Sequence, residues 1–388
     1  MAQKYNKMKT LFFILLFTTT ALPAQVAELT LFDATTHKAI PNAEVYYTNT
    51  LNGTITNEEG KAKITVENDT ITLSHIGYKT KKIFTDNSFS KATVYLNPQE
   101  IQLDEVVLYN FDLKKKIKYV MDNYFKLYDT KAKILECTYR EKFIRNDTLT
   151  RLYQVQLDWW SKNYVFQFKK TLNENLQIHL KNTDYSKILN LDEGSNSAFL
   201  EPAFILQNLH LNPYLTFLYH HAENIEIKKV EKDKEHTIVT FDADIVLNKK
   251  SILTLINSVV YFDNNTNAIK RIIFAQKPST SEGISKRKKL PYKSTTEKAS
   301  WELTFTPYKN KLLFSSFFVK SNVTFEYEGR KEKGYIEQSF LRTGIQNKHI
   351  KKENRIDVEK PFFEYVTPHK QGEAKFLLTK EEQDFINQ

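Results

Sequence analysis

The sequence predicts a mainly β protein of α+β type, and three observations point there. Twenty-seven Phe and 21 Tyr stand beside only 9 Gly and 3 Met, a balance that suits well-formed strands better than a helical bundle. Short β-rich runs separated by turn residues fill residues 25–108. Longer alternating runs fill residues 134–350. At 388 residues the chain is long enough for two or three domains of ~100–200 residues. Hydrophobic residues at 41% and charged residues at 26% are ordinary globular usage, which excludes wholesale disorder and a multi-span membrane protein.

Residues 1–24 read as an export signal: Lys4, Lys7 and Lys9, an apolar run over residues 11–17, then small residues ending at Ala24, with cleavage expected after it. The apolar run is shorter than the ~20 residues a bilayer-spanning helix needs. The expected location is therefore the periplasm or the periphery of an outer membrane. Cys137 is the single cysteine, so no intrachain disulfide can form, and a small buried strand residue is its simplest role. Net charge is +10, three of it carried by the signal lysines, so the mature chain carries +7. That balance suits anionic lipid headgroups, while export excludes nucleic acid as a partner.

In residues 25–108, AELTLFD and AEVYYTN are early strands. GTITNEEGKAKITV reads as two strands joined by a polar turn closing at Gly60, and TITLSHIGYKTKKIF as another pair bent at Gly77. Residues 109–133 are a connector helix: Asp112 caps it, Leu113, Ile117, Val120, Met121, Tyr124 and Tyr128 recur at helical spacing, and Lys114, Lys115, Lys116 and Lys118 take the solvated side. Beyond residue 134 the strands have one dry and one wet face. In TIVTFDADIVL, Val239, Phe241, Ala243 and Ile245 alternate with Thr240, Asp242 and Asp244, and Trp301, Leu303 and Phe305 alternate with Glu302, Thr304 and Thr306. A helical insert is expected near residues 184–222, broken near Pro213, and SEGISKRKKLPYK is expected as a basic loop. Residues 351–388 are a C-terminal tail.

The motifs IPNAEV (residues 40–45), GTITNEEG (53–60), KITV, SHIGY (74–78) and LDEVVL (103–108), in that order, make the N-terminal unit resemble the carboxypeptidase regulatory-like, or transthyretin-like, domain found in exported proteins and outer-membrane receptors of Bacteroidetes-type bacteria. The resemblance implies a seven-stranded β-sandwich without catalytic residues. Gly53, Gly60 and Gly77 then serve turns, Ala43 packs under a strand, and Ile76 and Tyr78 fill the core. YREKF (139–143) and VVYFDNNTNAIKRIIF (259–274) resemble lipoprotein-carrier-like half-barrel domains. That resemblance implies an apolar concavity sheltering an acyl chain or a polypeptide segment.

Catalytic patterns are few. His220-x-x-Glu223, with His349 or His369 downstream, has the spacing of a zinc carboxypeptidase ligand pair, although a histidine at a helix end is favoured by the dipole without any metal. Asp242 with Asp244, and Glu326 with Glu328, sit two apart on strands and so share a face, as an acid/base pair would need, and as a solvated outer surface also would. Cys137 has no histidine nearby in sequence, and no G-x-S-x-G elbow, P-loop or dinucleotide fingerprint occurs. Trp159 and Trp160 form a candidate binding platform, because adjacent strand residues point to opposite faces and one of them must leave the core side. The expectation is a non-enzymatic envelope protein without a cofactor, whose adaptor domain accompanies a β-rich domain that binds a lipid, a glycan or a partner chain. The alternative is a zinc hydrolase using His220 and Glu223.

Overall fold

The computed structural model describes residues 25–75, 77–99, 111–189, 202–247, 250–284, 289–360, 362–367 and 377–388. The expected signal (1–24), Ile76, the LDEVVL segment and His369 lie outside the described residues.

Seven short strands come first: β1 (Val26–Asp33), β2 (Glu44–Tyr47), β3 (Gly53–Ile55), β4 (Lys61–Thr65), β5 (Asp69–Ser74), β6 (Lys81–Thr85) and β7 (Lys91–Leu96). They form two sheets, β4-β1-β7 and β3-β2-β5-β6. Ala27, Leu29 and Leu31 of β1 alternate with solvent-facing neighbours and meet Val45, Tyr47, Ile71 and Leu73 of the other sheet in one closed apolar cluster. Each Leu or Val so buried contributes about 1.5–3 kcal/mol. The strands flanking Gly60 do not pair with each other: β3 and β4 belong to different sheets, and the turn carries the chain across. Gly60 has φ +72°, and a Cβ there would lie 2.5 Å from the Leu31 carbonyl oxygen, so both backbone and space demand glycine.

The remaining strands are β8 (Lys133–Arg145), β9 (Thr148–Ser161), β10 (Gln177–Ile188), β11 (Ala222–Lys232), β12 (His236–Leu247), β13 (Lys250–Asp263), β14 (Ile269–Gln276), β15 (Ser279–Ile284), β16 (Pro291–Tyr308), β17 (Lys311–Tyr327) and β18 (Arg330–Gln346). They make one 11-stranded sheet in the order β10-β9-β8-β18-β17-β16-β14-β13-β12-β11, with β15 beside β16. Neighbours run antiparallel throughout. The inner face of this sheet is dry: Trp159, Phe241, Phe262, Phe274, Phe317 and Phe340 belong to a single cluster.

A sheet with no facing sheet needs another cover, and helices supply it. Asp112 accepts the Lys115 N–H and caps α1 (Leu113–Asp122), whose Leu113, Ile117 and Val120 are buried. The helix is interrupted at Asn123 and resumes as α2 (Tyr124–Leu127). Tyr128 then fastens the segment to β14, its hydroxyl donating to the Ile269 carbonyl at 3.0 Å and accepting the Ile269 N–H at 2.8 Å. The expected connector is thus part of the large unit's core, because its six apolar positions make a stripe that must be covered. After β9 comes the single turn α3 (Leu172–Asn175), and after β10 come α4 (Pro202–Asn208), α5 (Leu211–Thr216) and a π turn (Phe217–His221). Leu211, Tyr214, Leu215 and Leu218 join the same apolar cluster.

Two boundaries differ from expectation. Residues 184–188 continue β10, so the insert begins later, and the helix break falls at Leu209–His210 rather than at Pro213. Pro213 is the third residue of α5, in the first turn, where its missing N–H has no intrahelical partner to lose. The expected basic loop at 281–293 is in large part paired strand, since Ser281 to Ile284 pair with Ser294 to Pro291; residues 285–288 are outside the described set.

The C-terminal segment completes the cover on both faces. The Ile356 N–H donates to the Ile178 carbonyl at 3.0 Å, and Val358, Phe362 and Val366 enter the inner-face cluster. A last helix, α6 (Lys380–Asn387), lies on the outer face, where Phe385 and Ile386 pack against Leu149, Leu152 and Tyr185. No helix among the described residues is long and apolar enough to cross a membrane.

Candidate functional site

The two tryptophans on β9 separate. Trp159 is fully buried on the inner face, its ring edge-on to Tyr164 at 5.1 Å, His210 at 5.4 Å and Phe314 at 5.1 Å. Trp160 is half-buried on the opposite face, 5.3 Å from the His349 ring. They therefore do not form one platform, which follows from the strand period of two.

His220 is exposed in the π turn, edge-on to Tyr219 at 4.8 Å, and Glu223 is exposed at the start of β11, in register with Asp244. His349 packs at a tilt against Trp160 instead of joining them. Among the described residues no group of three or more His, Cys, Asp or Glu is arranged to hold a metal ion. Asp242 and Asp244 share the outer face. Asp242 accepts the Asn257 N–H at 2.7 Å, and Asp244 accepts from Asn224 at 3.0 Å and Thr254 at 2.8 Å, bonds that hold the Asp244 carboxyl below the usual carboxylate range. Both serve cross-strand ties. Glu326 pairs with Lys331 at 3.5 Å. Glu328 is in the turn after β17 with φ +48°, followed by Gly329 at φ +72°, so it does not share a strand face with Glu326; two left-handed residues make a tight hairpin turn. Cys137 is buried on β8, its Sγ donating to the Leu135 carbonyl at 3.6 Å.

The inner face holds a buried ionic group on β8 and β9. Arg151 meets Glu141 at 2.5 Å with its guanidinium between the Phe143 and Phe363 rings, 5.1 and 5.0 Å from their centroids. Glu141 also accepts from Tyr139 at 2.6 Å, Tyr153 at 3.1 Å and Gln338 at 2.8 Å. Burial works against its charge, but Arg151 and the three donors outweigh that and keep the carboxyl below its ordinary value. With its acceptor positions used and no solvent access, this carboxylate is a structural centre.

A cleft of about 590 Å³ lies where the sandwich meets the outer face of the large sheet. Strands β2 and β5 contribute Glu44, Tyr46, Thr72 and Ser74 to it, while β14, β16 and β17 contribute Arg271, Glu302, Thr304, Ser316 and Phe318. His75 and Tyr78 of the SHIGY motif line it too. Contacts beside the cleft fix the two units together. Ser315 Oγ donates to Glu44 Oε1 at 2.6 Å, Ile55 packs on Leu341 and Phe318, and Lys320 pairs with Glu58 at 3.3 Å. Burial pushes the Glu44 carboxyl up, against the Ser315 bond and nearby Arg342. Arg342, 5% exposed, donates to the Phe314 carbonyl at 2.6 Å and to Thr306 at 2.8 Å, and burial pulls its guanidinium down. Arg271 donates to Glu302 at 2.6 Å and lies 5.5 Å from the Tyr261 ring, with its Nε–H unpartnered. Ligand sites favour such concave joints between units.

No local pattern in the chain signals this cleft. Glu44 reads as one polar residue in an alternating strand, and Arg271 and Glu302 as members of a wet face. Arg342 alone had a signal, as a cation set within the apolar run SFLRTGI.

With the seven-stranded sandwich and its Gly60 crossover in view, the family comparison is decisive for this unit. Residues 30–108 match the CarboxypepD_reg-like domain. The regulatory-like domain family is non-catalytic. No curated protein matches the chain. Among solved structures, a LolA superfamily protein from Nitrosomonas europaea is similar at 8% identity, covering 66% of this chain and 100% of its own, with a TM-score of 0.25. A putative membrane-associated protein of unknown function from Bacteroides fragilis is similar at 8% identity, covering 83% and 98%, with a TM-score of 0.15. The CarboxypepD_reg-like module supplies half of the cleft wall, and the large sheet supplies the other half.

Proposed function

We propose that this chain is a non-enzymatic, exported envelope protein in which the CarboxypepD_reg-like module acts as an adaptor on a β-rich unit that binds its ligand at their joint. One observation carries the reading: the cleft of about 590 Å³ is walled by both units and bordered by the half-buried contact between Glu44 and Ser315. The export part rests on Lys4, Lys7, Lys9 and the apolar run that follows them.

A lipid held on the inner face is the less favoured variant. That face is filled by α1, α5 and the Val358–Val366 segment, and the cavity beside Trp159 and His210 measures about 20 Å³, roughly the room of one water molecule.

Thermal unfolding of delipidated full-length protein tests the reading. A water-soluble envelope fraction is expected to raise Tm, since a ligand at a hundred times its Kd adds about 2.7 kcal/mol. Stabilisation by lipid extract alone would move the ligand to the inner face, and stabilisation by neither would end the binding proposal. Mass spectrometry of protein from an exporting host checks the rest: the expected N-terminus is Gln25, and a persistent Met1 in the cytoplasm would remove the export reading.

A further inference from the structure

We infer that the cleft between the two units takes a neutral oligosaccharide segment, with Arg271 and Glu302 reading adjacent sugar hydroxyls. This inference rests on the joint being the ligand site, and it adds the ligand class.

Charge is the first argument. Acidic and basic side chains both line the cleft, and apart from Lys82 they are largely matched: Arg271 donates to Glu302 at 2.6 Å, Asp233 lies 3.2 Å from His236, and Lys270 is 3.4 Å from Asp263 and 3.9 Å from Glu235. Glu44 is turned to Ser315, and Lys82 is one lysine in a lining of both signs. A strongly charged ligand would find most of its counter-charges already engaged, so it would lose hydration without an equivalent return.

Backbone access is the second. An extended peptide binds strongly when it can add to an exposed strand edge. Most strands walling the cleft are internal: β2 and β5 are flanked by β3 and β6, and β14, β16 and β17 by their own neighbours, while the edge strand β6 contributes Lys82 alone. The cleft therefore presents mainly side-chain faces, which leaves most of a peptide's amides unpaired.

What remains is a surface of hydroxyls, amides and aromatic faces. Thr72, Ser74, Thr80, Thr304 and Ser316 line it with Asn42 and Gln99. A guanidinium beside a carboxylate offers a donor and an acceptor at the spacing of two neighbouring hydroxyls. Tyr46 from the sandwich and Phe318 from the sheet supply apolar surface for the C–H face of a sugar ring. The volume falls within the 300–1,000 Å³ or so usual for small-ligand sites.

The experiment is titration calorimetry on the delipidated full chain with three panels: neutral hexose oligomers of varied linkage, uronic-acid oligomers, and unstructured tetrapeptides. A neutral oligomer is expected to bind, and Glu302→Gln and Phe318→Ala each to weaken it at least about tenfold. Thr304→Val, which keeps the Arg271–Glu302 pair, guards against a folding defect and is expected to weaken binding several-fold with an unchanged circular dichroism spectrum. If uronic-acid oligomers or peptides bind instead and show the same variant sensitivity, the joint stands as the ligand site and the neutral-sugar assignment falls. If a neutral oligomer binds but no cleft variant affects it, the assignment to this cleft falls. If nothing in the panels binds, the inference falls, while the extract experiment above still decides whether the joint binds anything.

Discussion

The sandwich and the large sheet solve the same problem in opposite ways. In the sandwich, β4-β1-β7 and β3-β2-β5-β6 cover each other, so Leu29, Leu31, Ile71 and Leu73 are closed off within residues 26–96. The 11-stranded sheet has no such partner. Its inner face is covered by Leu113, Ile117, Leu211 and Tyr214 from helices and by Val358 and Phe362 from the tail, and its outer face by the sandwich and α6. A core made of reciprocal sheets cannot lose one half and keep the other, whereas borrowed cover is separable.

The sharpest way to break this comparison is to remove residues 350–388. Deletion uncovers the sites of Val358, Phe362, Val366, Phe385 and Ile386, each worth about 1.5–3 kcal/mol when buried, which together approaches the whole stability of an ordinary domain. We expect loss of the large unit's cooperative unfolding transition and strong dye binding, with the sandwich's amide protection retained on hydrogen exchange; a cooperative transition at the original temperature would refute the borrowed-cover account. Arg151→Ala comes next, leaving Glu141 buried without its counter-ion at a cost of about 3–5 kcal/mol in chemical denaturation.

Acid should act mainly on the large unit, in two steps. Burial holds His210 down to about 4 from 6.5, so the unfolded chain takes the proton first; this stabilisation, roughly 3 kcal/mol, is whole above pH 6.5 and lost as pH falls to 4. For Glu382, burial opposes the charge but Arg140 and Lys142, at 2.5 and 3.0 Å, outweigh it and hold the carboxyl at about 2 from 4.5. Its contribution is whole above pH 4.5 and lost between 4.5 and 2. Tm measured against pH should flatten in the upper limb for His210→Gln and in the lower limb for Glu382→Gln, and parallel curves would remove the assignment. In the sandwich, Gly60→Ala forces a left-handed alanine and should lower stability by about 1–2 kcal/mol or more. The smallest effect belongs to Lys118→Ala, whose pair with Asp122 is exposed and screened by solvent, and Tm should stay at its original value.

How far the sequence could be read follows the same division. Strands of the sandwich, the alternation of Val239, Phe241, Ala243 and Ile245, and the Asp112 cap were visible because each depends on neighbours within a dozen residues. The pairing of Ser279–Ile284 with β16 was not, because that strand is exposed almost throughout and has no dry face to announce it. Glu328 read as a strand residue because its left-handed backbone depends on the turn it forms with Gly329. The destination of the Leu113–Tyr128 stripe was open for a different reason: periodicity tells which face needs cover, and only the fold tells what covers it. The cleft is the extreme case, joining residues 42–99 to residues 233–318, and no local pattern encodes such a meeting.

One feature of the strand order governs how the chain can come together in time. The last strand, β18, stands between β8 and β17, and the Gln338 amide reaches Tyr139 across 199 positions. As the polypeptide lengthens, the β8–β10 meander must wait with an open edge until almost the entire chain has emerged, since no earlier strand occupies that place. The closing step is then a single zipping event that joins two preformed halves, slow by virtue of its long-range contacts and exposed to misassociation until it occurs. Slowing substitutions should accordingly concentrate on Ile336, Gln338 and Phe340, where the stability lost should appear mainly as slower folding rather than as faster unfolding.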